Sequence, residues 1–337
     1  MLNNTAYSLT KRCRLTVGYI GGSVTYGFGA TDPERTSWRA RTTHWLRERY
    51  PSAAITDGSA AIGGTGSFLG MCRIRSALLE PYHPDLIFIE YAINDYYQGC
   101  SQQESTRQME SMIRQCWQDN PYADIVLVYT TDCGMKGQDF AAVQAFDAVA
   151  RRYNLCTVNV GHLLQEREGV DALQYKGRFL SDSVHPNDAG YERYAAYVEE
   201  FLLDQLENQP IHTPTKHSIP APLCADWIAS VMPMEAEQLA AANAGTGFLY
   251  DKSRYVLNSG ETIQADFCGC ALGLWWQMNP DGQVTLTLDG DISPLPQGNP
   301  DGAHKQLYSH LQNCHHRLQI SNTGKTTCIL RGLYVFA

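Results

Sequence analysis

Short apolar runs alternate along the first two-thirds of the chain with longer stretches whose apolar positions recur every three to four residues. Residues 14–20, 53–56, 85–91, 124–130 and 156–160 read as strands. The run 85–91 (DLIFIEY) is continuous, as expected of a strand buried on both faces. Helical spacing is found over 37–50, 102–119, 140–153 and 187–206. A glycine-rich loop over 58–70 leads into a further helix ending near 79. Strands that alternate with helices predict β-α-β units and a parallel sheet.

Beyond residue 208 the pattern changes. Residues 208–222 (NQPIHTPTKHSIPAP) carry four prolines and few apolar positions, which marks a linker. After it the period falls to two, and residues 262–267, 271–277, 284–288, 315–321 and 327–336 read as antiparallel strands. Asn279-Pro280-Asp281-Gly282 and Asp289-Gly290 supply turns between some of them. The predicted division is an α/β domain over 1–208, a linker over 209–222 and a β-sandwich or jelly roll over 223–337.

Composition narrows the functional classes. The chain has 337 residues, 44% of them hydrophobic, so a large core is available. A net charge of −9 gives no general attraction for phosphate backbones or anionic lipid, so neither nucleic acid nor membrane is an expected partner. No apolar run reaches the ~20 residues that span a bilayer. The first residues, Met1-Leu2-Asn3-Asn4-Thr5, lack a secretory signal. Eleven cysteines, mostly single and within apolar runs, suit a reducing cytoplasm. Cys268-Gly269-Cys270 lacks a second ligand pair for zinc, and His315-His316 lacks a third ligand and reads as a solvated strand pair. Neither metal nor cofactor is expected, and a homo-oligomer stays open.

In an open parallel sheet, ligands bind beyond the carboxyl ends of the strands. Four polar segments lie there: Gly21-Gly22-Ser23-Val24-Thr25, Ala61-Ile62-Gly63-Gly64-Thr65-Gly66, Ala92-Ile93-Asn94-Asp95 and Ser181-Asp182-Ser183-Val184-His185-Pro186. A serine hydroxyl needs an adjacent base to act as a nucleophile, and the developing oxyanion needs preorganised donors. These segments contain a serine, glycine amides, an asparagine and an Asp-x-x-His. Together they suit acyl transfer.

The four segments resemble, in order and spacing, the four blocks of the SGNH or GDSL-like hydrolases, over about residues 12–205. That resemblance implies a flavodoxin-like α/β/α sandwich and an esterase-type serine mechanism. It assigns Ser23 as nucleophile, with Asp182 and His185 completing the triad. Ser23, Gly64 (or its neighbour Gly63) and Asn94 would form the oxyanion hole. The usual Gly-Asp-Ser is Gly21-Gly22-Ser23 here, so the aspartate beside the nucleophile is missing. Gly-Gly-Ser-Val-Thr and Glu90-Tyr91-Ala92-Ile93-Asn94-Asp95 are similar to two-domain carbohydrate acetylesterases. The expected substrate is accordingly an acetylated oligosaccharide, of xylan or mannan type, or another small ester. A lipid, thioester or aryl-ester hydrolase is one alternative, and a carbohydrate-binding protein with a relic hydrolase domain is another.

Other residues are placed by the same reading. Asp95 is expected to cap a helix, and Glu34, Arg35 and Arg39 to lie on solvated surface. Substrate contact is assigned to Gly63 and to one of Trp275 and Trp276, because neighbouring strand residues point to opposite faces. Trp227, just after the linker, has a similar standing.

Overall fold

The computed structural model describes residues 2–135, 140–169, 174, 176–228, 231–235, 249–251, 254–297 and 302–336. It divides into two compact units, Met1–Trp227 and Ile228–Ala337.

In the first unit, β1 (Arg14–Gly21), β2 (Ala54–Ser59), β3 (Leu86–Glu90), β4 (Asp124–Tyr129) and β5 (Cys156–Asn159) form one parallel sheet, ordered β2-β1-β3-β4-β5. Every residue of β3 and β4 is buried, which is why 85–91 reads as a continuous run, with Glu90 and Asp124 as buried carboxylates within the two strands. Alternate side chains feed a core on one face: Leu15, Val17 and Tyr19 of β1 meet Leu86, Phe88, Val126 and Val128. That core is closed by Trp38 and Leu46 of the helix Trp38–Arg49 and by Tyr191, Tyr194, Val198 and Leu202 of the helix Asp188–Glu207. The strand order reverses between β1 and β3, whose outgoing chains therefore diverge and open a crevice at their carboxyl ends.

Two differences from the sequence reading have local causes. The helix Ser67–Ile74 begins inside the expected glycine-rich loop, because Asp95 Oδ1 accepts the Ser67 N–H at 2.7 Å and caps it. Asp95 thus caps a neighbouring helix, and its other oxygen accepts the Ser67 and Ser105 hydroxyls at 2.6 and 2.9 Å. Burial pushes its carboxyl up to about 6. Arg39 is not on solvated surface. Its side chain is buried, with the guanidinium paired to Glu34.

The Pro-rich stretch runs along the first unit, held by side chains in place of a strand partner. Asn4 exchanges hydrogen bonds with the backbone of Thr215 at 3.0 and 3.1 Å. His217 stacks on Trp117 with ring centroids 4.7 Å apart. Arg114 donates to the Pro220 carbonyl at 2.9 Å and lies over the Trp227 ring. The buried Glu110 carboxylate accepts the Leu223 and Cys224 N–H groups at 2.7 and 2.8 Å and the Tyr153 hydroxyl at 2.8 Å.

The second unit contains β6 (Val231–Glu235), β7 (Leu249–Asp251), β8 (Arg254–Leu257), β9 (Thr262–Gly269), β10 (Ala271–Met278), β11 (Val284–Leu288), β12 (Asp291–Pro294), β13 (Ala303–Tyr308), β14 (Cys314–Asn322) and β15 (Cys328–Phe336). One antiparallel sheet runs β13-β10-β15-β8-β7, with β6 also on β15, and the other runs β12-β11-β14-β9. Strict alternation in β9 turns Ile263, Ala265 and Phe267 inward to meet Leu272, Leu274 and Trp276 of β10. Asp289 and Gly290, at φ 52° and 99°, form the left-handed pair that joins β11 to β12.

Of the tryptophan pair, Trp276 is core, at 1% exposure, so its expected contact with substrate is ruled out. Trp275 is partly exposed, with the Arg331 guanidinium 5.8 Å from its ring centre. Nor is His316 a solvated partner of His315. It is buried, with Nδ1 2.6 Å from Asp289 Oδ2 and Nε2 2.8 Å from the Gln312 carbonyl.

Removing the Glu110 carboxylate orphans the part-buried Leu223 and Cys224 N–H groups and the buried Tyr153 hydroxyl, and a buried polar group left unpaired costs roughly 1–3 kcal/mol. Glu110→Ala is therefore expected to lower the thermal midpoint of the first unit and to speed proteolysis within residues 209–227. An unchanged midpoint and cleavage pattern would mean that this stretch is not held by Glu110.

Candidate active site

The β1 strand ends at Gly21, and after Gly22 the backbone turns into the short helix Ser23–Tyr26, which lifts Ser23 to the carboxyl edge of the sheet. His185 Nε2 lies 2.8 Å from Ser23 Oγ, although 162 residues separate them. His185 Nδ1 lies 2.6 Å from Asp182 Oδ2. A carboxylate only accepts, so Nδ1 carries the proton and the Nε2 lone pair faces the serine hydroxyl.

The turn over 181–186 explains how an aspartate three residues upstream reaches its own histidine. Asp182 Oδ1 accepts the Val184 and His185 N–H groups at 2.8 and 2.7 Å, which leaves Oδ2 for the imidazole. The Ser181 N–H and hydroxyl both donate to the His185 carbonyl, and Leu180 and Pro186 form a short antiparallel bridge. Partial burial raises the Asp182 carboxyl, but the His185 backbone, the imidazole and the Val184 N–H outweigh it and hold the group below its usual range.

This turn is fastened to the loop that follows Ser23. Asp188 accepts the Thr31 N–H at 2.9 Å and the hydroxyls of Thr31 and Thr36 at 2.6 and 2.7 Å. Tyr191 donates to the Phe28 carbonyl at 2.7 Å. Gly29, at φ 86°, passes so close that a Cβ there would sit 2.3 Å from the Pro186 carbonyl oxygen. The sequence reading missed Asp188, whose Asn187-Asp188 setting signals only a helix start.

Two further elements border Ser23. A Cβ on Gly63 would lie 3.6 Å from Ser23 Cβ and 3.2 Å from the Phe28 ring, whereas Gly64, at φ 74°, has open space around it. Gln98 donates to the Gly64 carbonyl at 2.9 Å and ties this loop to the chain after β3. Asn94 lies against Gly22, where a Cβ would come within 2.2 Å of Oδ1. That Oδ1 is buried without a hydrogen-bond partner among the described residues, so the carboxamide presents its NH₂ end elsewhere. Half-exposed aromatic rings surround these groups: Phe28, 5.5 Å from the His185 ring, with Tyr26 beside it, and Tyr96 and Tyr97 beyond Asn94. Tyr97 donates to the buried Asp132. Trp275 and Trp276 belong to the second unit.

A hydroxyl, an imidazole and a carboxylate in series, at the switch point of a parallel sheet, define a class of proteins that can carry out acyl transfer by way of an activated serine. The chain belongs to the GDSL-like lipase/acylhydrolase family, whose profile matches residues 19–193. Over its whole length it is similar in fold to a two-domain esterase (CEX) active on acetylated mannans. The TM-score is 0.82 at 19% identity, covering 100% of this chain and 96% of that one. The same enzyme co-crystallised with mannopentaose gives 0.78 at 20% identity, with the same coverage. No curated protein matches the chain in sequence.

The lowered Asp182 carboxyl has a consequence for stability. A carboxyl depressed by folding stabilises the fold above its unfolded value of ~3.9, and that stabilisation is lost as pH falls through the lower folded value. The difference in thermal midpoint between wild type and Asp182→Asn should therefore be widest near neutrality and close in the acid range below ~3.9. A difference independent of pH would show that Asp182 is not held ionised by this turn.

Proposed function

We propose that the protein is a serine esterase that removes O-acetyl groups from oligosaccharides of mannan or xylan type through an acyl-serine intermediate. The observation that carries this reading is the unbroken relay from Ser23 Oγ to His185 Nε2 at 2.8 Å and from Nδ1 to Asp182 at 2.6 Å. Full-length similarity in fold to a two-domain esterase active on acetylated mannans supports the choice of substrate class.

Ser23 Oγ attacks the ester carbonyl while His185 takes its proton, and Asp182 holds the imidazole in the required tautomer and stabilises the imidazolium. The carbonyl oxygen becomes an oxyanion, which the N–H groups of Ser23 and Gly64 and the Asn94 carboxamide stabilise. Glycine at 64 suits this role because no side chain blocks approach to its N–H. His185 then gives the proton to the departing sugar oxygen, and the acetyl group stays on Ser23. Water, deprotonated by His185, attacks the acetyl-serine; the bond from the acetyl carbon to Oγ breaks, His185 returns the proton to Ser23 and acetate leaves. The aromatic rings beside His185 and Asn94 offer faces on which a pyranose can rest. Trp275 supplies a further outward aromatic in the second unit.

Mass spectrometry of acetylated manno- and xylo-oligosaccharides should show stepwise loss of acetyl groups with the wild-type chain. None should be lost with Ser23→Ala, which should also fail to cleave 4-nitrophenyl acetate. In the same assay Trp275→Ala should slow acetyl release from oligosaccharides more than cleavage of 4-nitrophenyl acetate. Cleavage of 4-nitrophenyl acetate with no acetyl release from either sugar would leave an esterase of another substrate class. Equal losses on both substrates would remove Trp275 from substrate recognition.

A further inference from the structure

Beneath the nucleophile turn lies a buried carboxylate for which the relay has no use. Glu90 is the last residue of β3, at 1% exposure. Its Oε2 accepts the Thr25 hydroxyl at 2.9 Å and its Oε1 accepts the Thr130 hydroxyl at 3.0 Å. The Gly22 N–H donates to the Glu90 backbone carbonyl at 3.3 Å. Gly22 and Thr25 bracket Ser23, so Glu90 holds the turn on both sides of the hydroxyl, through its backbone carbonyl on one side and its carboxylate on the other. Thr130 follows β4, so the same group ties the ends of β3 and β4 to the turn after β1.

There is little slack in this arrangement. A Cβ on Gly21 would lie 2.3 Å from Thr25 Oγ1 and 2.7 Å from the Glu90 carbonyl oxygen, so the turn packs against the end of β3 at a distance that only glycine allows. Among the described residues no cation forms an ion pair with the carboxylate, which adds to the upward push on the nearby hydroxyls of Tyr91, Tyr191 and Tyr194. A buried carboxylate with two hydroxyl donors and no countercharge costs desolvation free energy that leucine would not, and such a cost marks a group that does something packing alone cannot.

We propose that Glu90 is a positioning residue for Ser23, its carboxylate fixing the nucleophile turn by accepting the Thr25 hydroxyl and tying it to Thr130 rather than by its charge. The proposal rests on the reading of Ser23 as the nucleophile. Burial pushes the Glu90 carboxyl upward, and the Thr25 and Thr130 hydroxyls oppose that shift. A side chain that kept the acceptor on the Thr25 side would do the same work uncharged. Glutamine meets that condition, because the Thr130 hydroxyl can rotate and accept from its NH₂.

The test compares Glu90→Leu, Glu90→Gln and Thr25→Val in the full chain, with 4-nitrophenyl acetate as substrate and temperatures well below each thermal midpoint. Displacing a reacting group by about an ångström costs on the order of 10²-fold. Glu90→Leu should therefore lose about 100-fold in kcat, with KM within about twofold of wild type, because only the approach of the hydroxyl has changed. Glu90→Gln should recover most of that loss with an unshifted pH profile. Thr25→Val, which removes one donor without touching Glu90, should lose about tenfold in kcat and remains informative if Glu90→Leu does not fold. Near-wild-type kcat in folded Glu90→Leu or in Thr25→Val would overturn the proposal. So would Glu90→Gln as slow as Glu90→Leu with a displaced pH profile, because charge would then be the operative property. Failure of the esterase reading looks different: Ser23→Ala would keep its activity, or the wild type would cleave no ester.

Discussion

Everything at the carboxyl edge of the sheet depends on one hydrogen bond, from Ser23 Oγ to His185 Nε2, made across 162 residues of chain. Neither partner sits on a long element. Ser23 is on a four-residue helix and His185 on a tight turn, so the bond is only as well defined as the contacts that fix those two pieces. Asp188 and Tyr191, from the first turn of the last helix, fasten the histidine turn to Thr31, Thr36 and Phe28 of the serine loop. Gly29 lets the two backbones approach to a distance that a side chain would forbid. The parallel sheet supplies the frame, because its strand order reverses between β1 and β3 and opens the crevice there.

The chemistry of the edge follows from which groups are satisfied and which are left free. Asp182 has one oxygen occupied by two backbone N–H groups, so only the other is directed at the imidazole. Asn94 packs its oxygen against Gly22 and leaves its NH₂ as the available end. Asp95, next to it, is absorbed in capping the helix Ser67–Ile74 and so fixes the approach of the Gly63-Gly64 loop. Neighbouring residues thus divide into one that faces outward and one that holds the wall.

Much of this was legible in the sequence, for a physical reason. Strands buried on both faces are apolar along most of their length, here all but Glu90 and Asp124, so β3 and β4 announce themselves, and the polar residues after each strand must then share one edge. What escaped was held by contacts that leave no period. The stretch after residue 208 reads as a linker because its bonds come from Asn4, Glu110 and Arg114, more than a hundred residues away. His316 is buried against the Phe267 ring and satisfied by Asp289, contacts that its neighbours in sequence do not announce. The inward member of the tryptophan pair was undecidable from parity alone, and the register of β10 against β15 shifts between those two residues. β13 shows no alternation, with every residue half-buried or exposed, and so gave no strand signal.

The central claim is that Ser23 is the residue that carries the acyl group. Its most direct test is covalent labelling of the full chain with a fluorophosphonate, followed by intact-mass measurement and peptide mapping. One adduct per chain, on the peptide that contains Ser23 and lost on denaturation before labelling, is the result expected. An adduct on another serine, or none in a protein that hydrolyses esters, would contradict it.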